Sequence, residues 1–185
     1  MYLIRVNGET SHNNPKCESC FVLGEPPAHP RTYFNYFRKC LAGDFVRIGW
    51  PDVGDLTARN RQGALANCYD WETIPRHVRD YLEGFSQIPV GSTVLMPHKG
   101  HSGELAIGTT TSKYCFFHNV PNDPYECAHR IKVRWDTDKQ GNPVLYQAKK
   151  LGINIYDRSS WGHAFHHFVD DHVINKVRAA RQSKR

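Results

Sequence analysis

The chain has 185 residues, 39% of them hydrophobic and 12% aromatic, which is enough for one buried core and leaves little room for a second enzymatic domain. Its formal charge is +6, but Lys176, Arg178, Arg181, Lys184 and Arg185 bring five of those charges into the last ten residues with no acid among them, leaving +1 for residues 1–175. No apolar run approaches the roughly 18 residues of a membrane span, and the opening MYLIRVNGETSH lacks the pattern of a secretory signal, so a soluble, cytoplasmic chain with a polyanionic partner is expected.

LIRV at residues 3–6 reads as a short strand. The Asn-, Pro-, Gly- and His-rich stretch 7–30 reads as loop, and its length calls for a functional role or local stapling. In RTYFNYFRKCLA, residues 31–42, the apolar positions Tyr33, Phe34, Phe37 and Leu41 recur at helical spacing. FVRIGW, residues 45–50, alternates like a strand and runs into the turn PDVGDL. Val78, Tyr81, Leu82 and Phe85 predict an amphipathic helix over 75–85.

Four strands follow at 93–97, 105–111, 114–118 and 129–135, then a turn at Gly141-Asn142-Pro143 and a fifth, weaker strand. A closing helix is predicted over 161–182, capped by Ser159 or Ser160, with Phe165, Phe168, Val169, His172, Val173, Lys176 and Val177 facing inward. The order of elements predicts an α+β fold, a curved sheet or small β-barrel flanked by helices. One structural domain is expected, with residues 1–42 packed on a body of residues 43–150 and residues 151–185 forming a terminal helix with a basic tail.

Within residues 43–136, FVRIGWPDVGDL, PVGSTVLMP, ELAIGTTTSKYCF and AHRIKVRW together resemble the EVE-like branch of the PUA superfamily, which includes YTH relatives and the recognition domains of modification-dependent restriction systems. Ile48-Gly49-Trp50 with Asp55-Leu56 resembles that family's strand and turn at a pocket mouth. Ile107-Gly108 through Tyr114 resembles its aromatic-bearing strand pair, and His129-Arg130 with Val133 and Trp135 its closing strand. Ser92 follows Gly91 where relatives carry Asp, and neither end of the chain matches the family pattern. The resemblance implies a compact barrel that takes a flipped, methylated base, such as 5-methylcytosine or 6-methyladenine, into an aromatic pocket, with a separate effector protein performing the chemistry in a restriction or defence system.

The residues supply matching materials. Reading a base requires rings for its faces and fixed polar groups for its edge, and Trp50, Trp71, Tyr114, Phe116 and Trp135 offer rings. Asp52 or Asp55 is suited to accept from an exocyclic amine, beside Leu56, although a turn also favours Asp for its own backbone. Trp135 reads first as a packing residue of the core. Lys99, Arg130, Lys132, Arg178 and Arg181 are the candidate phosphate contacts.

Other chemistries have weaker signals. Cys17-x-x-Cys20 with His12, His29 and Cys40 is half of a zinc signature without the second pair, so neither metal nor cofactor is expected, and most of the six cysteines read as buried or half-buried thiols. His163 and His167 would share a helix face, but Ala164, Phe165 and His166 stand between them without the glutamate of a metalloprotease helix. Gly49 and Gly54 are not followed by the Lys-Ser/Thr of a phosphate loop. A binding module is expected rather than an enzyme. The alternatives are a metal-dependent nuclease or hydrolase and a protein-interaction subunit of a defence complex.

Overall fold

The computed structural model describes residues 1–4, 36–48, 55–57, 71, 74–98, 103–117, 129–154 and 165–184. Its elements are β1 (Tyr2–Ile4), α1 (Tyr36–Ala42), β2 (Phe45–Ile48), α2 (Arg76–Ser86), β3 (Thr93–Pro97), β4 (Glu104–Thr110), β5 (Cys115–Phe116), β6 (His129–Trp135), β7 (Leu145–Gln147), a 3-10 turn (Ala148–Leu151), β8 (Phe165–His167) and α3 (Asp171–Gln182). The strands form one sheet in the order β2-β6-β4-β3-β1-β8, with β5 beside β6 and β7 beside β4. The sheet curls strongly, as a half-barrel, and the α+β expectation of a curved sheet flanked by helices holds.

Alternation along the strands decides the layering, because successive side chains leave a strand on opposite faces. Ile4, Val94, Met96 and Ala106 enter one core with Phe37 of α1 and with Val78, Leu82 and Phe85 of α2. Leu3, Leu95, Leu105 and Ile107 enter a second core, closed by Phe168 and by Val173 and Val177 of α3. Where they are covered on both sides, β3 and β4 are apolar in the continuous runs VLMP and LAI.

β6 differs. His129, Ile131, Val133 and Trp135 are buried, while Arg130, Lys132 and Arg134 point to the other face, where Lys132 and Arg134 are exposed. The two halves of β6 have different neighbours on the same edge, Val133–Trp135 pairing with β4 and His129–Arg130 with β5. Between those pairings the four residues Thr111–Tyr114 oppose only Ile131 and Lys132, an excess that bends the strand and sharpens the curl. Gly108 is required where β4 meets β6: a Cβ there would strike Val133 Cγ1 and lie 2.8 Å from Trp135 Cε3 and 3.0 Å from the Arg134 carbonyl oxygen.

The end of the chain departs from the expectation. Residues 165–167 form strand β8 against β1, and α3 begins only at Asp171, with the Asp170 carboxylate accepting from the His172 amide at 2.8 Å. An aspartate directly before the apolar repeat is a stronger cap than the serines ten residues earlier, and pairing with β1 satisfies the backbone of 165–167. Val169, expected inside, is 79% exposed because it lies in the short link between strand and helix. Among the described residues no helix is long and apolar enough to cross a membrane.

Candidate functional site

α3 covers β1, β3 and β4 but ends before β6, and the edge it leaves is a groove of about 1160 Å³. Lys132, Arg134 and Trp135 of β6 lie along it, with Arg38 and the turn Gly43-Asp44 after α1 on one side and Arg181 and Lys184 on the other. Asp136, Gly141 and Pro143 of the excursion between β6 and β7 close one end. Asp44 holds a left-handed backbone (φ 52°), and its carbonyl oxygen accepts from the Val133 amide at 2.8 Å, locking the turn to β6.

Arg181 fastens the tail helix to this edge. Its guanidinium donates to both carboxylate oxygens of Asp136, at 2.6 and 2.8 Å, and to the hydroxyls of Thr109 at 3.0 Å and Thr93 at 3.3 Å. The Tyr146 hydroxyl donates to the same carboxylate at 3.0 Å. A forked guanidinium on a carboxylate, both partners only 18% exposed, is a directional clamp. No carboxylate among the described residues pairs with Lys132, Arg134 or Lys184, so the groove keeps a positive field.

A second constellation lies where β2, β5 and β6 meet. The guanidinium of Arg130 is held between two rings, 4.6 Å from the centroid of Phe45 and 4.8 Å from that of Phe117, and Phe117 is 40% exposed. Beneath the strand, the buried Tyr114 hydroxyl accepts from the Leu56 amide at 3.2 Å and lies 2.8 Å from His129 Nδ1. Phe116 tilts over His129 at 5.1 Å. The Cys115 thiol, across from Arg130, is pushed above its usual range by burial, with Arg130 and Lys132 pulling the other way.

Of the residues expected around a base, Leu56, Tyr114 and Phe116 meet at His129. Leu56, Tyr114 and Trp135 are core residues, 1%, 8% and 5% exposed. The Trp135 indole N–H donates to the Cys40 carbonyl at 3.2 Å, which makes it a tie between α1 and β6 rather than an open ring wall. Trp71 is packed against the same core. Asp55 accepts from the amide and hydroxyl of Thr57 at 2.9 and 2.8 Å, the self-capping turn that its position allows. Phe116 is half-buried. Trp50, Asp52 and Lys99 lie outside the described residues.

Of the expected phosphate contacts, Lys132 and Arg181 come together in the groove, with Arg181 engaged on Asp136. Arg130 is stacked between rings, and Arg178 lies near the amino group of Met1, whose pKa is lowered by burial and then by that arginine. Arg38 and Arg134 were missed. The alternation in HRIKVRW is the signal for Arg134, since it places every second residue on the cationic face.

The expected histidine pair is also undone. His166 and His167 occupy a strand and so face opposite ways, which removes the helical spacing with His163, itself outside the described residues. His167 stacks on Tyr2 at 4.5 Å, and its pKa is lowered by burial and by the amino terminus. Among the described residues no three His, Cys, Asp or Glu side chains are placed to hold a metal. Cys17 and Cys20 lie outside those residues, and Cys40 is buried in the core.

One family model, described as a domain of unknown function (DUF8426), matches residues 31–153, well over half of the chain. No curated protein and no solved structure matches it.

Proposed function

The chain belongs to the DUF8426 family, whose description carries no activity, and from its own side chains we propose a nucleic-acid-binding module of PUA-like architecture that holds one planar, methylated base. In this reading the chemistry belongs to a partner protein, and the chain itself selects the site. The observation that carries the proposal is Arg130, stacked between Phe45 and Phe117 on the cationic face of β6.

Rings and guanidinium planes are the surfaces on which unstacked bases rest, each contributing about 1–3 kcal/mol per base, and extruding a base costs a few kcal/mol. Phe117 presents a large exposed aromatic side chain beside a cation that suits a phosphate. Ile48 of β2 and Phe116 of β5 both pair with His129, and Phe117 follows Phe116. Trp50 and Asp52 follow Ile48 in the sequence and are the ring and edge acceptor assigned to the base. The buried Tyr114, Leu56 and His129 group acts as the support that fixes Asp55 and the turn after those residues.

A panel of matched oligonucleotides, single- and double-stranded, with and without each common base methylation, tests the reading at two salt concentrations. A methylation-dependent difference that persists at high salt, and that is lost in Trp50→Ala and Phe117→Ala proteins with unchanged circular dichroism, is the expected result. Equal binding of methylated and plain oligonucleotides by the parent overturns it.

A further inference from the structure

We propose that the groove between β6 and α3 is a track for the phosphates of one nucleic-acid strand, and that the basic tail helix is one of its walls. The proposal rests on the nucleic-acid reading above but uses different residues, and α1 and α3 both lie outside the stretch that suggested a base pocket.

Charge is the first argument. Arg181 and Asp136 neutralise each other across the clamp, so the described lining residues that set the field are Lys132, Arg134 and Lys184 against Asp44. A net positive channel attracts a polyanion by releasing its condensed counterions, without regard to sequence. Spacing is the second. Lys132 and Arg134 are two residues apart on one strand, hence about 6.8 Å apart along it, close to the separation of neighbouring phosphates on an extended single strand. The third is construction. The Arg181 fork holds the end of α3 against β3, β4 and the excursion after β6, so Lys184 is brought to the groove by a built contact. The tail that supplies most of the formal charge is thereby part of a shaped surface.

Fluorescence anisotropy of the full chain with a short fluorescein-labelled thymidine oligonucleotide, titrated across salt concentrations, tests this. Lys132→Gln, Arg134→Gln and Lys184→Gln are each expected to lower the slope of log K against log salt by about 0.7, the single-strand value per neutralised phosphate. Each should weaken methylated and plain oligonucleotides by the same factor. Asp44→Asn, which keeps a residue type tolerant of the left-handed backbone, is expected to tighten binding at low salt. Phe117→Ala should leave the slope where it was. An unchanged slope in all three cation variants, or tighter binding of the duplex than of the single strand, overturns the track while leaving the base-reading proposal standing. Failure of the parent to bind any oligonucleotide overturns both.

Discussion

Neighbouring strands β4 and β6 have nearly opposite relations to water. β4 sends Leu105 and Ile107 into one core and Ala106 into the other, so its side chains are committed to the fold. β6 commits His129, Ile131, Val133 and Trp135 and leaves Lys132 and Arg134 exposed on its other face, with Arg130 half-buried against Phe45 and Phe117. The difference teaches that the sheet is architectural where both faces are covered and available for recognition where the cover stops. Substitutions on the two strands should therefore separate stability from binding.

The sharpest way to break the comparison is Leu95→Ala on β3, fully buried beside β4, which should cost about 4 kcal/mol in chemical denaturation. A loss below about 1 kcal/mol would mean that the doubly covered layer is not the structural centre. Arg181→Ala comes next, at about 2 kcal/mol, because it strips charge-assisted bonds from Asp136 and leaves two threonine hydroxyls unserved. A double-mutant cycle with Asp136→Ala measures how much of that belongs to the pair.

Tyr114→Phe should cost about 1.5 kcal/mol, since the buried Leu56 amide and His129 Nδ1 both lose the phenol oxygen. Lys132→Gln with Arg134→Gln should change stability by no more than about 0.5 kcal/mol, the mark of a face outside the core.

The smallest effect is a pH dependence. In the excursion after β6, the exposed Asp138 accepts from the amides of Asn142 and Gln140 at 2.8 and 2.9 Å, and the Asn142 amide foremost holds its carboxyl below the usual range. Its stabilising contribution is present above the unfolded carboxylate pKa and is lost as pH falls through the lower folded value. Thermal melts of the parent and Asp138→Asn should differ at neutral pH and converge in strong acid; a gap that persists there would contradict the assignment.

Much of the sheet was legible because alternation and turn residues mark strands directly. β3 has the expected bounds of 93–97, β4 begins one residue earlier than expected, and β6 has the expected bounds of 129–135. α2 was legible from Val78, Leu82 and Phe85. β8 was not, because FHHFVDDHV carries apolar spacing that suits a helix, and only the arrival of β1, more than 160 residues away in sequence, makes a strand the better use of its backbone.

The site was legible in its residue types and less so in its grouping. Lys132 and Arg181 were picked singly, while the groove that joins them depends on where α3 stops, a matter of packing with no local signature. Trp135 was legible as a packing residue, since a large ring at a strand end belongs first to a core, and the Cys40 carbonyl supplies the partner for its indole N–H.

β1 lies inside the sheet, parallel to β3 and antiparallel to β8. Residues 2–4 pair with residues 94–95 on one flank and with 165–167 on the other, so each contact closes a loop of about 90 or 160 residues. Such separations give closure of the sheet a large loop entropy, so refolding should be slow for a chain of this size.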